Sequence, residues 1–268
     1  MRVTSLASGS SGNALAIEHD GQTLLVDAGC QPRRLKQLLD QAGVQPLALA
    51  AVLISHEHSD HVAGLAAVPR HVPLVMSPGT RAAAPRLNGD SAFFGRNVVE
   101  QPRGSTRDVG PFRVSSFPVS HDGAEVCGYL IEAAGRRVAV FTDLGCVEPH
   151  LHEPLSLADL VVIEANHDEQ LLFNGPYPWH LKRRVAGDRG HLSNVACARL
   201  LCEVLSSERR EVWLAHLSRT NNRPQIAHGA VTHGLFAQGC HGHTVQVLPQ
   251  YGTNLRWQPR PLQLALSL

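Results

Sequence analysis

Ser55-His56-Glu57-His58-Ser59-Asp60-His61 follows directly on an apolar run, Ala51-Val52-Leu53-Ile54. A strand that ends in three imidazoles and a carboxylate is a ready-made metal site. Alternate residues of extended chain point to one side, so His56 and His58 can grip one ion together. Asp60 and His61 fall where the chain is expected to turn into a helix, Val62 to Ala67, and can face a second ion. Imidazole and carboxylate suit zinc and its divalent neighbours.

Further along, the same juxtaposition recurs three times. His121 follows Phe117-Pro118-Val119-Ser120, Asp143 follows Val138-Ala139-Val140-Phe141-Thr142, and His216 follows Val212-Trp213-Leu214-Ala215. Each alone reads as a strand-end or turn residue. Strand ends that share one edge of a sheet can converge on one site.

Around these motifs, the first half reads as short strands split by Gly-rich turns. A helix is expected from Pro32 to Gln41, with Pro in its first turn and Gly43 after its end. Residues 86–107 read as a surface loop or hairpin. The second half alternates: strands at Leu160 to Glu164, Glu211 to His216 and Thr244 to Leu248, helices at Ser193 to Leu205 and Pro224 to Gln238. Strands followed by outer helices, twice over, predict an α/β chain of two packed sheets with helices on both outer faces. With no internal period and no linker, 1–268 reads as one domain.

Composition sets bounds. The 268 residues are 43% hydrophobic, and the net charge of +1 points to no partner. Six cysteines lie scattered without Cys-x-x-Cys spacing, a pattern of reduced, cytoplasmic thiols. No signal peptide or membrane span is apparent.

With these residues on the page, the chain resembles the metallo-β-lactamase superfamily, whose ligand set is His-x-His-x-Asp-His, then His, then Asp, then His. The resemblance implies a four-layer αββα sandwich with two divalent ions at one edge, zinc or manganese foremost, with iron a further option. It assigns His56, His58 and His121 to the first ion, and Asp60, His61 and His216 to the second, with Asp143 between them. True β-lactamases commonly carry cysteine where this chain has Asp143. The finer likeness is to the YycJ/WalJ group of bacterial proteins. It rests on Ser-Gly-Ser-Ser-Gly-Asn (8–13), Thr-Asp-Leu-Gly (142–145), Glu-x-Asn-His-Asp (164–168), Gly-Pro-Tyr-Pro (175–178), Gly-His-Leu-Ser-Asn (190–194) and His-Leu-Ser with Asn-Asn (216–222). That likeness implies a DNA exonuclease. Only 72 residues separate Asp143 from His216, too few for the domain that β-CASP nucleases insert there.

Two such ions are expected to share a hydroxide that attacks a phosphodiester, with Asp60 orienting it; resemblance to the tRNA 3′-end nucleases of the superfamily implies that His191 protonates the leaving oxygen while Glu164 orients the His191 ring. Asp27 is expected to support a ligand histidine. Candidate substrate contacts are Asn13, Lys182, Arg183, Ser193, Asn194, Arg219 and Asn222. Lys182, Arg183, Arg184 and Arg189, placed in a loop before Gly190, read equally as a solvated face or as phosphate contacts. Tyr177 and Trp179 read as base-stacking rings or as packing. Cys240-His241-Gly242-His243 reads as a loop. Two other functions compete: a small-molecule hydrolase of lactones, thioesters or cyclic phosphodiesters, and a non-catalytic regulatory protein. Retention of all seven ligands opposes the last.

Overall fold

The computed structural model describes residues 1–88, 93, 95–206 and 208–259. The chain starts with three strands, β1 (Arg2–Ala7), β2 (Ala14–His19) and β3 (Gln22–Val26), paired antiparallel in sequence order. Helix α1 (Pro32–Ala42) begins on proline and ends on Gly43 in the left-handed conformation, φ 80°, as the spacing predicts. Then come β4 (Leu49–Leu53), the single-turn α2 (Ser59–Val62), β5 (Leu74–Met76), α3 (Pro78–Asn88) and β6 (Val98–Glu100). Strands β7 (Thr106–Val109), β8 (Phe112–Pro118), β9 (Cys127–Ala133) and β10 (Arg136–Phe141) form an antiparallel meander. The rest alternates: α4 (His152–Leu157), β11 (Leu160–Glu164), α5 (Glu169–Asn174), α6 (Trp179–Val185), α7 (Asn194–Val204), β12 (Glu211–Ala215), α8 (Pro224–Ala237), β13 (Thr244–Val247) and β14 (Arg256–Trp257).

Two seven-stranded mixed sheets result, in the orders β14-β1-β2-β3-β4-β5-β6 and β13-β12-β11-β10-β9-β8-β7. Alternation along each central strand builds the layers. On β4, Ala51 and Leu53 face the core between the sheets, while Val52, and Ile54 just past the strand, face the core under α1. On β12, Trp213 and Ala215 point inward and Val212 and Leu214 point out toward α7 and α8. Both faces of these strands are apolar because both are covered. The outcome is the four-layer αββα sandwich.

Strands β8, β10, β11 and β12 run parallel to one another, as do β3, β4 and β5. Their C-terminal ends therefore meet along one edge. Three local expectations need correction. The helix expected over 62–67 starts earlier, as α2, and continues only as a 3₁₀ turn, Leu65–Ala67. Lys182, Arg183 and Arg184 lie in helix α6 rather than a loop. Much of 86–107 is structured: it holds the end of α3, all of β6 and the start of β7, while residues 89–92 and 94 fall outside the described residues. Among the described residues no helix is long and apolar enough to cross a membrane.

Candidate metal centre

The seven-residue motif leaves β4 and folds back against the loop after β3. Ala28 N–H donates to the His61 carbonyl at 2.8 Å, and Asn13 N–H to the Asp60 carbonyl at 2.8 Å. The approach is so close that a Cβ on Gly29 would stand 1.6 Å from the Asp60 carbonyl oxygen, so only glycine fits. Asp27, Asp143 and His216, each just past a strand, take positive φ of 58°, 56° and 55°. Such left-handed residues cost about 1–3 kcal/mol each and persist where the surroundings demand them. Here the reversal turns each side chain from the strand end toward the shared edge.

Side-chain donors gather there in sets. Single ligand atoms from His56, His58 and His121 lie within 4.8 Å of one another, and so do those of Asp60, His61 and His216. Asp143 forms a third such set with His56 and His61. Its Oδ2 is 3.1 Å from His61 Nε2, and its Oδ1 is 3.7 Å from His121 Nε2 and 3.4 Å from His216 Nδ1. Asp143 thus stands between the two triads.

Four of the five imidazoles have one nitrogen held from outside. His61 Nδ1 meets Asp27 Oδ2 at 2.8 Å, His121 Nδ1 meets the Gly190 carbonyl at 2.9 Å, and His216 Nδ1 meets Glu164 Oε1 at 2.7 Å. His56 Nδ1 lies 3.0 Å from Ser55 Oγ, which itself donates to Asp27 Oδ2 at 2.9 Å. The other nitrogen of each turns toward the centre, where His61 Nε2 meets Asn13 Nδ2 at 3.1 Å and His56 Nε2 is buried without a hydrogen-bond partner among the described residues. Ligand histidines are oriented in this way by outer partners, and a buried nitrogen without a partner costs free energy that a cation would recover. All-nitrogen-and-oxygen donors in two triads fit a pair of divalent ions.

Charge reinforces this. Burial works against the charge on Asp60, yet His61 and the hydrogen bond from His216 hold its carboxyl down at about 2. Asp143, also buried, is held well below the usual carboxylate range by His216 and His61. Burial and the His61 imidazole push His56 well below its ordinary value. For His61 and His216 burial pulls the same way, but the surrounding carboxylates outweigh it and raise both. Concentrated anionic charge beside imidazoles is what a dication needs.

Glu164 is fully buried at the end of β11. Its Oε1 meets His191 Nδ1 at 2.9 Å and His216 Nδ1, and its Oε2 accepts from the Leu144 and Leu192 backbone N–H groups. Burial opposes its charge, but the His191 imidazole and these bonds hold it at about 2. Beside the centre lies a cavity of about 160 Å³, walled by residues that include His121, His191, Tyr177 and Arg184.

The expected substrate contacts divide. Asn13 is buried, with Nδ2 3.1 Å from His61 Nε2 and Oδ1 accepting from Gly9 N–H, so it braces the second triad. Arg219 is exposed and reaches Ser11 Oγ at 3.4 Å. Lys182 donates to the Phe173 carbonyl, and Arg183 sits over the Trp179 ring, 6.0 Å from its centroid. Arg184, pointed to only as one of a basic run, reaches Asp122 and lines the cavity. Ser193 caps α7 and donates to Glu169. Asn194 and Asn222 are buried and bonded to each other, and Asn222 Nδ2 also donates to the Ala165 and Asn166 carbonyls. These last three hold the loops together through bonds within the protein. Two neighbours escaped sequence reasoning: Asp122, 3.6 Å from His58 Nε2 and 3.2 Å from His121 Nε2, and Asn221 in the cavity wall. Asp122 was signalled only by its place after His121, and Asn221 only as the first asparagine of the Asn-Asn pair in the 216–222 motif.

The chain belongs to the beta-lactamase superfamily, whose domain profile matches residues 22–217. Within it the chain stands with the YycJ/WalJ group. It is 35% identical over 236 residues to exodeoxyribonuclease YycJ of Bacillus anthracis, a match covering 87% of this chain and 89% of that one. It is likewise 35% identical over 227 residues to exodeoxyribonuclease WalJ of Streptococcus pneumoniae, covering 83% and 84%. Among solved structures, Zn(2+)-bound PqqB from Methylobacterium extorquens superposes with a TM-score of 0.73 at 20% identity, covering 97% of this chain and 100% of that one. The short form of human tRNase Z does so with a TM-score of 0.61 at 18% identity, over 82% and 93%. These two attest the fold.

Proposed function

We propose that this protein is a metal-dependent phosphodiester hydrolase that degrades nucleic acid, with DNA as substrate and exonucleolytic action. The observation that carries the reading is the pairing of Glu164 with His191 beside two complete donor triads. The triads alone would serve any hydrolase of this fold; the buried carboxylate–imidazole couple adds a proton donor for an alkoxide leaving group. The 35% identity to YycJ and WalJ over most of the chain supports it.

His56, His58 and His121 would hold one divalent ion and Asp60, His61 and His216 another, zinc or manganese, with Asp143 shared. Bound there, the ions supply Lewis acidity toward a phosphate oxygen and lower the pKa of water toward about 7. Asp60, anionic and partly accessible, accepts a hydrogen bond from the attacking water and aligns it. Burial disfavours the charged form of His191, but Glu164 outweighs it and raises the imidazole above its ordinary value. With Nδ1 committed to Glu164, Nε2 is the atom that delivers the proton to the departing 3′ or 5′ oxygen. Glu164 holds His191 and His216 with one oxygen, so the acid and a ligand keep a fixed mutual position. Six cysteines, none in a disulfide, fit work in the cytoplasm.

The test is a substrate panel offered to the purified protein with added manganese or zinc: end-labelled single- and double-stranded DNA, RNA, a lactone and a thioester. Progressive shortening of DNA from an end, abolished by chelation and by Asp60→Ala, is expected. Turnover confined to the lactone or thioester would overturn the reading.

A further inference from the structure

Asp122 shares the loop between β8 and β9 with the ligand candidate His121. That loop is clamped to the seven-residue motif. Ala124 N–H donates to Glu57 Oε1 at 2.7 Å, and a Cβ on Gly123 would stand 3.2 Å from the His56 ring. The clamp sets the Asp122 carboxylate against the first triad, with Oδ1 3.2 Å from His121 Nε2 and 3.6 Å from His58 Nε2.

These contacts are short, yet they are not hydrogen bonds. Asp122 Oδ1 is buried and has no hydrogen-bond partner among the described residues. His121 Nδ1 faces the Gly190 carbonyl at 2.9 Å. A carbonyl only accepts, so Nδ1 carries the proton, and in the neutral ring Nε2 has a lone pair instead. Oδ1 and Nε2 are then two acceptors side by side. Buried, such a pair is unfavourable unless a cation is shared between them. Ligands of one ion stand in this relation. With bonds of about 2.0–2.2 Å, neighbouring donors around a tetrahedral ion lie roughly 3.3–3.6 Å apart. Both separations at Oδ1 are close to that spacing. Oδ1 is screened from water just as His56 Nε2 is, in the same triad. The other oxygen has a separate partner: Oδ2 accepts from Arg184 Nε at 2.8 Å. Ligating carboxylates are held by an outer hydrogen bond in this way.

We propose that Asp122 is a further ligand of the first ion, joining His56, His58 and His121 through Oδ1 while Arg184 holds Oδ2. The proposal rests on the two-ion reading above and not on the choice of substrate. It makes the first site three imidazoles and a carboxylate. It also ties that site to the cavity that Arg184 lines.

The test uses the full-length protein loaded with cobalt, whose visible spectrum reports the ligands of the ion, and a competing chelator that measures retention. Asp122→Ala is expected to lower retention of one of the two ions by at least about tenfold and to shift the spectrum. Arg184→Ala, which removes only the outer hydrogen bond, leaves the spectrum as in the wild type. An unchanged spectrum in Asp122→Ala, a loss below about tenfold, or the same spectral shift in both variants overturns the assignment. If Asp122→Ala loses its melting transition, a crystal structure of the zinc-loaded wild type decides. Oδ1 within about 2.4 Å of the first ion carries the assignment, and a longer separation overturns it. A wild type that takes up no ion would sink the two-ion reading and the assignment together; two ions held with Asp122 out of reach would sink the assignment alone.

Discussion

At the scale of single residues, the centre divides labour between groups that would touch the ions and groups that aim them. Asp27 is buried behind the donors; it holds His61 Nδ1 and, through Ser55, His56. Replacing Asp27 with alanine is expected to weaken retention of the second ion by about 10–100-fold, read as loss of metal to a competing chelator. Unchanged retention would remove Asp27 from the design. His191 is the opposite case. His191→Ala keeps both donor triads and should keep the metal content while the rate of DNA cleavage falls by about 10²–10⁴. A variant with two ions and full rate would disqualify His191 as the acid. The histidines and carboxylates themselves were legible, because their spacing carries their chemistry. Asp122, 3.2 Å from His121 Nε2, was not, since only the fold brings its carboxylate to the imidazole.

Elements place these residues by what they do at their ends. The loop after β3 and the motif after β4 touch backbone to backbone at Gly29, and this contact sets the height of Asp60 and His61 relative to Asp27. Gly29→Ala drives a Cβ into the Asp60 carbonyl, so the motif must move as a body. The expected result is loss of the second ion by metal analysis with the secondary structure retained by circular dichroism. Full metal occupancy would show that the loop yields at no cost. Helix α6 illustrates what sequence could not reveal. Pro178 precedes Trp179 and the basic run follows, a pattern compatible with a loop or a helical turn. Packing decided for helix, and with it that Arg184, through Asp122, faces the site while Lys182 and Arg183 do not.

For the whole molecule, the two sheets must hold their edges in register for the triads to form. Trp213 fills the space between them, fully buried, with Nε1 donating to Glu211. Trp213→Ala is expected to cost about 3–5 kcal/mol, measured by denaturant unfolding; a loss under about 1 kcal/mol would mean the sheets close the gap. Tyr129 ties one sheet to the other: from β9 its hydroxyl donates at 2.7 Å to the Ile54 carbonyl, immediately before the motif. Tyr129→Phe leaves that carbonyl buried and unpaired, at about 1–3 kcal/mol, and should lower both the melting temperature and the cleavage rate.

Donors set after apolar runs pointed to a metal site and to a layered α/β architecture, because ligand chemistry and strand burial are both written as local periodicity, while the resemblance those motifs carry supplied the family. Which loops meet and which side of a helix looks into the cavity were decided only when the sheets came together. Those depend on contacts between residues far apart in the chain, as Asp27 is from His61, Tyr129 from Ile54 and Glu164 from His216, and no local pattern encodes a distance across the core.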